Sequence, residues 1–156
     1  ASAFGQAAGV PMFFVGYKGG APMVQDLMAG QILVGVDEIV NLIQPHKAGK
    51  VRMIALTSSE RIEATPDVPT FTEGGYPSVS GGTWIGASVR KGTPAARIDA
   101  LVAALNRASE RTDVQRRLAA LGLRTITPSP QGMARTIQSD TARYAQLVQA
   151  AGLKVE

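Results

Sequence analysis

In the first third of the chain, short continuous apolar runs alternate with segments whose apolar residues recur every three or four positions, as on one face of a helix. Three runs have the length and composition of buried strands: Met12 to Val15, Ile32 to Val36 and Val51 to Thr57. A helix that begins at Pro22 and ends at Gly30 is predicted after the first run. A second helix, capped by Asp37 and stopped by Pro45, is predicted after the next. This order predicts βαβ units, a mainly parallel sheet and an α/β fold.

The rest of the chain has a different character. Residues 58–82 hold three prolines and four glycines without a sustained apolar period, which predicts a long structured loop. The apolar pattern of Trp84 to Val89 predicts one more strand, and Leu123 to Thr127 is a candidate for another. Three amphipathic helices are predicted to begin at Pro94, Asp113 and Pro130. Gly152 is expected to close the last of them.

Composition excludes several kinds of site. The absence of cysteine removes disulfides, thiolate metal ligands and cysteine nucleophiles. His46 is the only histidine, and no acidic pair is spaced for acid–base catalysis, so we predict neither a metal nor a cofactor. The net charge is +4, but the arginines of the second half alternate with acids and lack a ladder of aromatic residues, which argues against a nucleic-acid site. No apolar segment approaches the roughly 20 residues that cross a bilayer.

The segment Tyr17 to Pro22 separates the first predicted strand from the first predicted helix. Its glycine pair would let backbone N–H groups approach an anion at the positive end of a helix dipole. A carboxylate suits this turn, because the Lys-Ser/Thr of a phosphate-binding loop is absent; a plain strand-to-helix turn is the alternative. Asp37, at the end of the second predicted strand, is either a ligand contact or a helix cap. Trp84 either lines a pocket or fills the core.

Five motifs follow one another in order and cover essentially the whole chain. They are Val15-Gly16-Tyr17-Lys18-Gly19-Gly20-Ala21-Pro22, Asp26 to Gln31 followed by Asp37, Lys47 to Ser58, Pro66 to Thr70 with Glu73 to Pro77, and Trp84, Gly86 and Gly92-Thr93-Pro94. This series resembles the Bug receptors, the extracytoplasmic solute-binding proteins of tripartite tricarboxylate transporters.

The resemblance implies a truncated α/β fold like that of the type II periplasmic binding proteins. Members of the family are about twice as long as this chain and have two lobes. Residues 1–82 would form the second ligand-binding lobe, truncated at its N-terminus, and residues 83–156 would supply the crossover strand and C-terminal helices that complete the first lobe. Residues 1–8 look like the middle of a helix, which fits a chain without the signal peptide and first half.

The implied function is that of a periplasmic receptor, not an enzyme, which captures a small carboxylated solute such as a dicarboxylate or an amino acid. The receptor would deliver this solute to the permease subunits of the transporter. The ligand-binding residues, carried over by position, would be Gly19, Gly20, Ala21, Asp37, Thr83 and Trp84. The chain has Glu38 where the family often has Asn, and this second acid beside Asp37 favours an amino- or amide-bearing ligand over a purely dianionic one.

Two other functions share this architecture. The effector domain of a transcription regulator has the same two lobes, but it would accompany a helix-turn-helix segment, which nothing in this sequence resembles. A small-molecule enzyme would need reactive groups beside Gly19, where only Tyr17, Lys18 and Asp37 are available. Self-association, which would cover apolar surface that the missing lobe buries, is a further expectation.

Overall fold

The protein is represented by a computed structural model that describes residues 2–126 and 129–150. Within these ranges the regular elements are helices: α1 (Ser2–Ala8), α2 (Gly20–Met28), α3 (Ile39–Lys47), α4 (Ala95–Glu110), α5 (Thr112–Ala120) and α6 (Pro130–Ala150). The helices predicted from apolar spacing are all present. Gly152, predicted to close the last one, lies outside the described residues. No helix in the described ranges is long and apolar enough to span a membrane.

The chain divides into two compact units. Unit 1 comprises residues 1–83 and 119–123, and unit 2 comprises residues 84–118 and 124–156. The assignment of residues 1–82 to a second lobe and of residues 83–156 to the completion of a first lobe stays a prediction, because a lobe is defined by the whole receptor.

The predicted parallel sheet does not form in the described part of the chain. The four predicted strands at 12–15, 32–36, 51–57 and 84–89 have no regular strand structure, and neither do residues 123–126, while Thr127 lies outside the described residues. Two isolated bridges occur instead, a parallel one between Leu56 and Thr70 and an antiparallel one between Ile62 and Thr65. The strand predictions were wrong because a strand needs a hydrogen-bonded neighbour, and apolar spacing does not report whether one is present.

Four helix starts differ from their predicted positions, and α4 begins at Ala95 instead of Pro94 and α5 at Thr112 instead of Asp113. Helix α2 begins at Gly20, two residues before Pro22. Proline is tolerated in the first turn because the N–H that it lacks would have no partner within the helix. Helix α3 is preceded by Glu38 rather than by a capping Asp37, and it continues through Pro45 to Lys47. Its lysine and histidine in the last turn suit the negative end of the helix dipole.

The buried apolar core lies in unit 1. Among the described residues, the side chains that are both apolar and buried are Met23, Val24, Ile43, Leu56, Val68 and Val79. Helices α2 and α3 pack together here, and Gly35 lets the sulfur of Met23 approach the backbone closely. Gly122 packs in the same way, since a methyl group there would lie 2.9 Å from Ile39 and 3.1 Å from Ile43. This packing fixes the direction in which α2 points.

The loop at 58–82 is held by polar contacts around Glu73. Its Oε2 accepts the N–H of Thr70 at 2.7 Å, and Thr70 Oγ1 accepts the N–H of Glu73 at 3.1 Å. Arg61 Nε also donates to Oε1 of Glu73 at 2.9 Å. The Thr70 N–H, followed by the Arg61 guanidinium, lowers the pKa of Glu73 below its ordinary value.

Candidate functional site

The glycine turn, defined here as Gly19, Gly20 and Ala21, stands at the N-terminus of α2. Gly19 has φ 103° and ψ 171°, a conformation that only glycine adopts without strain. In the described part of the chain, no hydrogen bond occupies the N–H groups of these three residues. Gly19 and Ala21 are exposed and Gly20 is partly so. The turn therefore presents backbone donors to solvent at the positive end of a helix dipole.

Asp37 lies against this turn. A methyl group added to Gly20 would overlap the Asp37 carboxylate and the Asn41 side-chain amide, so both side chains lie directly against the Cα of Gly20. Asn41 Nδ2 donates to Asp37 Oδ2 at 2.8 Å, which ties the carboxylate to the first turn of α3. Asn41 was not predicted from the sequence, although its i+4 spacing from Asp37 is the signal that would have identified it.

Tyr17 approaches α2 from the segment that leads into the turn. Its hydroxyl donates to Asp26 Oδ2 at 2.8 Å. The hydrogen bond to Asp26, together with partial burial and the negative charge of Asp26, raises the pKa of Tyr17 above its ordinary value. The phenol therefore remains a protonated donor at neutral pH. The hydrogen bond between Tyr17 and Asp26 was not predicted from the sequence.

The described contacts unite four of the six predicted site residues in unit 1: Gly19, Gly20, Ala21 and Asp37. Thr83 is exposed at the end of the same unit. Trp84 belongs to unit 2, where its Nε1 donates to Asp140 Oδ2 at 2.9 Å. That hydrogen bond gives the indole a role in holding the segment after residue 83 against α6.

Trp84 also borders an open groove of about 650 Å³ within unit 2. Ile137, Tyr144 and Val148 give this groove mostly apolar walls, and Asp140 is its acidic group. Asp140 accepts the hydrogen bond from Trp84 and forms an ion pair with Arg143, whose Nη2 lies 3.1 Å from Asp140 Oδ1. An apolar groove with an acid at its edge is a poor receptor for an anion, so the glycine turn is the better candidate for binding a carboxylate.

The sequence matches a known family along nearly all of its length. Residues 1–153 match the family described as "Tripartite tricarboxylate transporter family receptor". The chain belongs to this receptor family. It is a family of transporter receptors rather than of enzymes, and the resemblance to Bug receptors predicted from the motifs is confirmed.

Curated relatives are similar over almost the whole chain. The "UPF0065 protein in tcbD-tcbE intergenic region" of Pseudomonas sp. strain P51 is 34% identical over 142 residues, which are 90% of this chain and 42% of that protein. Protein BugT of Bordetella pertussis is 28% identical over 148 residues, covering 95% of this chain and 45% of BugT. The chain thus spans less than half the length of these two relatives.

Several solved structures are also similar to this chain over most of its length. R. palustris Rpa4515 with adipate superposes with a TM-score of 0.89 at 27% identity, covering 97% of this chain and 50% of that one. MatC from Rhodopseudomonas palustris with bound malate has a TM-score of 0.79 at 33% identity, covering 94% of this chain and 51% of MatC. The periplasmic binding protein BugD has a TM-score of 0.83 at 31% identity. The chain therefore follows the fold of periplasmic binding proteins over half their length.

Proposed function

We propose that this chain is part of a periplasmic receptor that captures a small carboxylated metabolite for a tripartite tricarboxylate-type transporter. The observation that carries the proposal is the glycine turn, whose free N–H groups stand beside Asp37 at the start of α2. Membership of the receptor family supports it, as do the adipate and malate bound to two structural neighbours. The effector-domain alternative is set aside, because the matched family consists of transporter receptors.

The glycine turn and Asp37 favour ligand groups of opposite kinds, the turn an anionic acceptor and Asp37 a hydrogen-bond donor. The N–H groups of the glycine turn would donate to a ligand carboxylate, and the helix dipole would favour its negative charge. Asp37 would repel a second carboxylate but would accept a hydrogen bond from a hydroxyl or amino group. We therefore infer that the solute has a donor group close to one carboxyl group, as a hydroxy acid or an amino acid does.

The chain would supply one wall of the binding site. In the proposed receptor, residues 1–82 form most of the second lobe and residues 83–156 complete the first lobe of a type II periplasmic-binding-protein fold. Thr83 and Trp84 stay candidate contacts at the crossover. The permease subunits of the transporter would be the partners of the complete receptor.

Calorimetric titration of the complete gene product that contains residues 1–156 tests the proposal. Malate, aspartate and adipate would be compared with malamide, in which both carboxylates are replaced by neutral amides. We expect one-to-one binding of malate or aspartate, weaker binding of adipate, which has no donor group close to a carboxylate, no binding of malamide, and recovery of the acid unchanged. A protein that binds none of the acids, or that is purified with a bound nucleotide or metal ion, would contradict the proposal.

A further inference from the structure

Gly19 is the residue of the glycine turn that lies outside α2, whereas Gly20 and Ala21 are the first two residues of that helix. Gly19 has no side chain, and glycine samples more backbone conformations than any other residue. The N–H groups of the turn form no hydrogen bonds within the described part of the chain. A turn of this kind would lose much of its affinity for an anion if its donors had to be ordered at each binding event.

Tyr17 supplies a restraint from outside the turn. It precedes Gly19 by two residues, and its hydroxyl reaches Asp26, the seventh residue of α2, at 2.8 Å. Helix α2 is itself fixed, because Met23 and Val24 are buried in the core of unit 1. The hydrogen bond therefore ties the segment before the turn to a rigid element after it.

We propose that Tyr17 is a positioning residue, and that its hydrogen bond to Asp26 holds the N–H of Gly19 beside those of Gly20 and Ala21 in the orientation that receives a carboxylate. The inference rests on the proposed function for its ligand. Tyr17 itself would not contact the solute, so its hydroxyl acts only through the backbone of Lys18 and Gly19.

The Tyr17–Asp26 bond differs from a general stabilising contact in its location. Tyr17 and Asp26 are only partly buried, and neither is among the buried residues of the core. Loss of the phenol hydroxyl would leave the packing of Met23, Val24 and Ile43 unchanged. Its effect should therefore be confined to the turn.

The test uses the complete gene product with three variants. Tyr17→Phe removes the donor, whereas Asp26→Asn keeps an oxygen that can accept the bond. Tyr76→Phe is the matched control, since Tyr76 is a half-buried tyrosine of unit 1 whose ring packs against Phe4, 5.3 Å between centroids. The measurements are ¹⁵N order parameters of the ligand-free protein, the thermal midpoint, and calorimetric affinity for malate and adipate.

We expect Tyr17→Phe to lower the order parameter of Gly19 from about 0.85 to below about 0.6, with those of Gly20 and Ala21 less affected because they belong to α2. Its affinity for the acid that the wild type binds should fall about three- to tenfold, with an unchanged thermal midpoint. Asp26→Asn and Tyr76→Phe should stay within about twofold of the wild-type affinity.

Three results would overturn the inference. Unchanged order parameters and affinity in Tyr17→Phe would remove the positioning role and leave the proposed function standing. A lower thermal midpoint with loosening throughout unit 1 would make the bond a purely structural one. If the wild type binds neither malate nor adipate, the inference has no ligand and is refuted, and the result also counts against the proposed function.

Discussion

Gly20 is the residue on which the geometry of the site depends most directly. A methyl group on its Cα would overlap the Asp37 carboxylate and the Asn41 amide, so these two side chains would have to move aside. Because the pair is exposed, we expect Gly20→Ala to change the free energy of unfolding by less than about 1 kcal/mol. The affinity for the carboxylated solute should fall, because the Asp37 carboxylate is displaced from the turn.

Urea denaturation and calorimetry of Gly20→Ala provide the measurement. Gly74→Ala is the control, because a methyl group at position 74 would make only ordinary contacts, the nearest at 3.5 Å from the Phe71 carbonyl oxygen. The control should change stability by less than about 0.5 kcal/mol. An affinity for the solute equal to that of the wild type would contradict the role of the Asp37 position in binding.

Glu73 should make stability depend on pH. Its folded pKa lies below the ordinary value of 4.5, so its carboxylate stabilises the fold above that pH and loses this contribution as the pH falls through the lowered folded pKa. We expect Glu73→Gln to reduce the loss of stability between neutral pH and acid, as measured by urea midpoints across the pH range. Glu63→Gln, at an exposed position of the same loop, should keep the wild-type pH profile; identical profiles for all three proteins would contradict this role.

At the scale of the elements, unit 1 contains the buried apolar side chains of the described residues. Ile43 on α3 is 2% exposed, whereas Leu101 on α4 is 49% exposed. Ile43→Ala should therefore cost about 2–5 kcal/mol of unfolding free energy, and Leu101→Ala less than about 1 kcal/mol. Urea denaturation followed by circular dichroism compares them, and similar midpoints for the two variants would mean that α3 is not the centre of the core.

The helices could be predicted from the sequence because each one repeats its apolar residues within its own length. Val24 and Leu27 identify α2 in this way, and Ile98, Leu101 and Leu105 identify α4. Strands could not be predicted reliably in this way, because the hydrogen bonds of a strand come from other segments of the chain. Phe13, Leu33 and Ile85 have the composition of buried strands and yet are 94%, 92% and 83% exposed.

In the candidate site, too, features local in the sequence were predicted and contacts between distant residues were not. The glycine turn was predictable because a glycine pair before a helix has a local meaning. Asp37 was predicted either as a cap or as a ligand contact. The cap is wrong, because Glu38 precedes α3 and Asp37 accepts a hydrogen bond from Asn41, and the ligand contact stays a prediction. Tyr17 and Asp26 are nine residues apart, so their hydrogen bond depends on how the entering segment folds back on α2. Sequence spacing contains no such information.

At the scale of the whole molecule, the exposed apolar residues predict self-association of the 156-residue chain. Light scattering coupled to size-exclusion chromatography should give a mass above that of the monomer, rising with concentration. Phe13→Asp and Leu33→Asp should reduce this mass, because each places a charge on an exposed apolar site. Gln31→Asp is the control for added charge alone, and a monomer at every concentration would contradict the prediction.

The central claim is that the N–H groups of Gly19, Gly20 and Ala21 bind the carboxylate of the solute. Mapping of ¹⁵N and ¹H amide shifts during a malate titration of the complete gene product tests it most directly. We expect the largest shifts within this chain at residues 19–21, saturating together with those of the Asn41 side-chain amide. Saturable binding that leaves the amides of residues 19–21 unshifted would place the ligand elsewhere and refute the claim.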